Sequence, residues 1–192
     1  LNQGTHIGAT LNQKYKVECV RFIHPDGSVC KDPRRGTPAS MCRENHRIDR
    51  IWVDEFLNLV VTAGRDKYLD ATLKTGLTTP AWYVLLKNTG TVVAADTMSS
   101  HGGWTENTTY SNANRPTWVA GTVSAGSIDN SANKAAFNIN GTTTIFGAGM
   151  TDNNTKGGTS GTLLGAGDFA ASRSVADGDT LNVTVTCSLT AS

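Results

Sequence analysis

The chain has 192 residues, 38% hydrophobic and 17% charged, with twenty glycines and a net charge of +1. The charged share lies below the usual ~25%, but Thr, Asn, Ser, Ala and Gly fill the deficit, which fits a turn-rich β domain and not a disordered one. The near-zero net charge gives no bulk drive toward nucleic acid or an anionic membrane, and no apolar run reaches the roughly 18 residues of a membrane span.

The length suits one domain with a proper core plus an extension. The sequence starts at Leu1 instead of Met, which leads us to expect residues upstream of it. Residues 1–13 have neither a period nor an apolar cluster. They read as an extended arm that a neighbouring subunit would have to hold in place. The rest, 14–192, reads as one β-rich domain.

Residues 14–23 alternate cleanly, with Tyr15, Val17 and Cys19 facing one way and Lys16 and Glu18 the other, as in a half-buried strand. His24-Pro25-Asp26-Gly27 is a turn, because Pro fixes φ and Asp-Gly tolerates positive φ. A short return strand is expected at 28–31. A basic loop, treated as an insertion at about 31–50, comes next; Lys31, Arg34, Arg35, Arg43, Arg47 and Arg50 crowd it. Such a loop serves either as an anion- or partner-binding element or as a solvated excursion.

Residues 48–53 and 56–61 read as two strands separated by solvated Asp54-Glu55. A helix follows over 63–74, with Thr62 as N-cap, Leu69 and Leu73 on its apolar face and Gly76 just past its end. Residues 82–87 (WYVLLK) form a near-continuous apolar strand of the kind buried on both faces. Asn88-Thr89-Gly90 is expected to form a turn. The polar loop 95–116, bearing Trp104 and Tyr110, is either a binding surface or an ordered cover on the core.

A strand is expected over 117–125. A hairpin is expected over 134–148 around Asn140-Gly141, the dipeptide of type I′ turns. The glycine-rich loop 149–161, a strand over 162–170, a turn with solvated Asp177 and Asp179, and the strictly alternating strand 181–190 complete the series. About eight or nine strands, turns every 8–12 residues and one helix predict an antiparallel, jelly-roll-like β-sandwich.

The search for chemistry finds little. Cys19, Cys30 and Cys42 lie ten or more residues apart, too far for zinc knuckles, and with His24 and His46 nearby only Cys42 and His46 are close enough to act as one. With Cys187 they leave free thiols or two disulfides of open connectivity, and Cys30 or Cys42 as a possible link between subunits. The sequence lacks a G-x-S-x-G elbow, so His101-Gly102-Gly103-Trp104 has no nucleophile to serve. Asp152–Gly157 imitates the start of an EF-hand loop, but Lys156 takes a ligand position and Leu163 stands where the bidentate Glu belongs. No catalytic, cofactor or metal site is expected, and the sequence does not read as an enzyme.

The stretches Trp82–Trp118 and Ser127–Leu189 carry long, specific motifs: the WYV strand, AADTMSSHGGWTE, DNSANKAAFNIN, GGTSGTL and SRSVADGDTLNVTVT. With WVDEFLNLVVTAGRDKYLD upstream, they resemble a family of small structural proteins of tailed bacteriophages and prophages. The resemblance spans roughly residues 51–190 and leaves out the basic segment 28–50. It implies a virion component on the capsid exterior: a decoration or cement protein that binds the major capsid protein and copies of itself, as a trimer or dimer. The alternative it leaves open is a tail or fibre module that binds a host receptor. The expected contact residues are Arg34, Arg35, Arg43, Arg47, Trp104 and Tyr110, with no membrane or specific nucleic-acid partner.

Overall fold

The computed structural model describes residues 9–30, 47–74, 76 and 79–191. Strands make up 52% and helix 9%, and two antiparallel sheets face each other as a β-sandwich. Sheet I runs β2 (Arg47–Leu57), β1 (Ala9–Ile23), β10 (Asp179–Ala191); β6 (Ser127–Asp129) and β7 (Ala135–Asn138) share the far side of β10. Sheet II runs β3 (Leu59–Val60), β9 (Leu163–Val175), β8 (Thr143–Thr151), β4 (Tyr83–Gly90), β5 (Trp104–Asn107). The α-helix among the described residues is α1 (Thr62–Leu73).

The backbone of sheet I is the ladder of β1 with β10, in register from Ala9↔Ala191 to Arg21↔Asp179. Both strands show the alternation read from sequence. Tyr15, Val17, Cys19, Leu181, Val183 and Val185 are all fully buried in the core between the sheets. The expectation of an arm over 1–13 is corrected at its second half: residues 9–13 pair with 187–191 and need no neighbouring subunit. Residues 1–8 lie outside the described residues.

On its other side β10 changes partner. β7 covers residues 180–183 and β6 covers 186–188. The Asn130 side group spans the gap. Its amide donates to the Val183 carbonyl at 3.2 Å and its oxygen accepts from the Val185 N–H at 2.7 Å. A buried backbone pair left without partners would cost free energy, and one asparagine satisfies both.

Two acidic sites read as solvated are buried. Asp54 lies in mid-strand, because 47–57 is one continuous β2, and it accepts from Arg173 of β9 at 2.8 Å, tying the two sheets together. Asp179 is 1% exposed and takes a two-pronged bond from Arg21 at 2.6 and 3.0 Å. Buried carboxylates persist where a guanidinium pairs with them: Arg173 meets one oxygen of Asp54, and Arg21 meets both of Asp179.

Sheet II is covered on both faces, which explains the unbroken apolar run of β4. Val84 and Leu86 point into the inter-sheet core; Leu85 points outward into a second cluster with Val61, Met98, Trp104, Leu163 and Ala166. The backbone enters sheet II by crossing over β9 at residues 57–59. A Cβ on Gly167 would stand 2.8 Å from the Asn58 Cα, so the crossing is possible only against a bare backbone.

Four local expectations fail, the first because the backbone switches sheet where a hairpin was expected to close. β7 pairs with β10 and β8 pairs with β4 and β9, so Asn140-Gly141 links the two sheets and closes no hairpin. Residues 117–125 make isolated bridges at Thr117 and Ser124 in place of a strand. The return strand at 28–31 reduces to one bridge, Ile23↔Val29, within the described residues. β4 continues through Asn88-Thr89 to Gly90 with an irregularity instead of turning.

Candidate interaction surface

Sheet I is longer than the layer facing it. At the start of β1 and the end of β10, Leu11 and Cys187, with Ile128 of β6, line a gap that the side groups of sheet II do not fill. The result is an open mouth in the sandwich: a cleft of about 270 Å³ that continues into one of about 240 Å³, both lined by Leu11, Tyr68, Ile128 and Cys187. Trp82, Met150 and Leu164 form the opposite wall of the larger part, and Trp118 closes one side. Trp118 is fixed there, since its indole N–H donates to the Val185 carbonyl at 3.0 Å and its backbone N–H to the Trp82 carbonyl at 2.8 Å.

Helix α1 is a partial lid over this mouth, and it is turned the other way from the sequence reading. Gly64 is its buried residue, resting on the Leu164 carbonyl, where any Cβ would collide with that oxygen. Tyr68, Ala71 and Thr72 then line the cleft. At 3.6 residues per turn, a residue nine positions after Gly64 lies about half a circle away. Leu73 is that residue and is 78% exposed; Leu69 is 50% exposed. The N-cap is Val61, whose side group makes no capping bond, and not Thr62. Val123 at 66% and Leu189 at 42% add to the apolar rim. Lys67 is the charged residue of the cleft lining, and its Nζ lies 3.8 Å from an Asp152 oxygen.

The residues expected to make contacts fall elsewhere. Trp104 and Tyr110 are 3% and 0% exposed, which corrects their reading as surface residues. Trp104 belongs to the cluster covering the outer face of sheet II; its indole N–H donates to Asp96 at 2.9 Å, and the His101 ring lies tilted against it with centroids 4.4 Å apart. The loop 91–103 is therefore an ordered cover, with Asp96 also accepting the Val93 N–H at 3.0 Å. Tyr110 packs edge-on to Phe137 and donates to Glu106 at 3.2 Å. Burial, with the Glu106 carboxylate beside it, holds its phenol well above the ordinary range. Arg47 is exposed and bonds Asp49 at 2.8 and 2.9 Å, which raises its own pKa. Arg34, Arg35 and Arg43 lie outside the described residues.

Around Glu106 the polar residues of two loops lock together. Arg115, fully buried, donates to both Glu106 oxygens at 3.1 and 2.7 Å and to the carbonyls of Asn153 and Gly158. Lys156 donates to the carbonyls of Tyr110 and Asn112. The second buried cation, Lys87, crosses β8 above Gly147, where no side group stands in its path, to reach Asp168 at 2.5 Å and the Gly90 carbonyl. Arg115 and Lys156 thus hold loop segments, and Lys87 ties β4 to β9.

Among the described residues no group of three or more His, Cys, Asp or Glu is placed to hold a metal. Asp152 accepts the Thr162 N–H at 2.5 Å and so closes its loop as a turn. Cys19 and Cys187 are free thiols. Burial, with Asp179 beside it, pushes the Cys19 thiol up to about 12; burial also raises Cys187. Cys30 is buried, which removes it as a link between subunits, and Cys42 lies outside the described residues. No described helix is long and apolar enough to cross a membrane. In comparisons with known proteins, no family model, curated protein or solved structure matches this sequence.

Proposed function

We propose that this protein is a structural component of a tailed-bacteriophage particle, and within it a decoration protein bound to the exterior of the major capsid protein shell. The observation that carries the reading is the open mouth: an apolar cleft that reaches Val123 and Leu189 at its edge, covered in part by a helix that exposes Leu69 and Leu73. Exposed apolar surface with a polar surround marks a protein contact. The resemblance of residues 51–190 to phage structural proteins supplies the partner class. A protein that binds only the assembled shell stabilises it by mass action, and lattice symmetry would repeat it as trimers or dimers. The fibre reading takes the Trp104/Tyr110 loop and the glycine-rich 149–161 loop as binding tips, and of these Trp104 and Tyr110 are core residues.

Two measurements test the proposal. Quantitative gels of virions should give hundreds of copies per particle; a dozen or fewer would sink the capsid assignment. Emptied capsids lacking the protein should regain it by co-sedimentation with the wild-type protein and fail to do so with Leu73→Asp.

A further inference from the structure

We infer that Asn140 is a site of spontaneous modification, converting to aspartate and isoaspartate through a cyclic imide with Gly141. Three observations coincide there and at no other Asn-Gly or Asp-Gly pair in the sequence. Asn140 is exposed, in the linker that runs from β7 to β8. Its carboxamide makes no hydrogen bond among the described residues, and neither does the backbone N–H of Gly141. Gly141 brings no Cβ to hinder approach to its own nitrogen.

The two Asp-Gly pairs are held in ways that Asn140 is not. Gly27 donates its N–H to the His24 carbonyl at 2.9 Å, and Asp26 is occupied by Ser28 at 2.8 and 2.7 Å. Gly178 donates its N–H to the Ile139 carbonyl at 3.0 Å. An amide already donating to a carbonyl must break that bond before it can attack. Buried asparagines are locked likewise: Asn107 and Asn130 use both the oxygen and the nitrogen of their carboxamides.

The chemistry needs water alone. The Gly141 nitrogen loses its proton to solvent base and bonds to the Asn140 Cγ, and the Cγ–Nδ2 bond breaks, releasing ammonia. Water then opens the five-membered imide at either carbonyl. One opening leaves aspartate; the other leaves isoaspartate, which lengthens the backbone by one carbon within the link between sheets. Both add one negative charge to a protein whose net charge is +1.

The test is peptide mapping by mass spectrometry after the folded protein is held at pH 8 and 37 °C for increasing times, with a urea-unfolded sample in parallel. Conversion should rise at Asn140 in the folded protein at a rate within tenfold of the unfolded one, while Asn107, Asn112 and Asn130 remain amides. An Asn140→Gln variant should show the same thermal midpoint and no new acidic species by isoelectric focusing. An amide retained at Asn140 in the folded protein while the unfolded sample converts would overturn the inference, as would equal conversion at the bonded asparagines.

Discussion

The loop junction around Glu106 and the mouth beneath α1 solve the same problem in opposite ways. At the junction, polar segments that have left the sheets are buried, and specific bonds hold them: Arg115 is fully buried and makes four hydrogen bonds to Glu106 and two carbonyls. At the mouth, strands with ordinary apolar faces simply outrun their covering layer. The first region is closed by specific bonds and cannot lose one partner cheaply. The second is left open by geometry, so its exposed leucines are nearly free of consequence for the isolated fold. Stability and contact are assigned to different residues.

The comparison breaks most visibly at Arg115. Arg115→Ala strands the Glu106 carboxylate, and removing one member of a buried pair costs about 3–5 kcal/mol; urea unfolding of the variant should show that loss. Gly64→Ala comes next. Its methyl group would displace α1 from the Leu164 carbonyl, and overpacking of this kind costs about 1–3 kcal/mol, read as a lower thermal midpoint with a reshaped cleft.

Glu18 gives a smaller, pH-dependent effect. The hydrogen bond from Lys134 holds its carboxyl below the ordinary 4.5. Its contribution is therefore complete above that value and fades as the pH falls through the lowered one. Glu18→Gln should cost about 1 kcal/mol at pH 7 and flatten the acid side of the stability profile; an unchanged acid slope would show that other carboxylates set it. Leu73→Asp is the smallest in stability, within about 0.5 kcal/mol of wild type, yet the same variant is expected to lose capsid binding. A large loss of stability instead would mean that Leu73 packs within the fold and that the mouth is closed.

Much of this fold was legible where one period ran long enough. The alternation of 14–23 and 181–190, and the doubly apolar 82–87, became β1, β10 and β4. What failed was information that is not local. Asn140-Gly141 looks like a hairpin turn, but Ile139 just before it gives its N–H and carbonyl to the 178–179 turn, which commits the backbone to changing sheets. Trp104 and Tyr110 sit among polar residues in sequence, which leaves a binding surface and a cover on the core equally open; those polar residues bond one another and the ring N–H and O–H groups, so the neighbourhood is buried. The apolar face of α1 was misassigned because Gly64, not leucine, sets the helix against the sheet. The mouth had no sequence signal, since it arises from unequal strand lengths in two layers.

The long β1–β10 ladder also fixes where additions can be attached. Ala9 and Ala191 are paired neighbours, so a tag or reporter joined at either end of the described residues emerges beside the apolar cleft. The turn at 24–27 stands at the far end of a 15-residue strand, roughly 45 Å away. A reporter meant to stay clear of the cleft belongs in that turn.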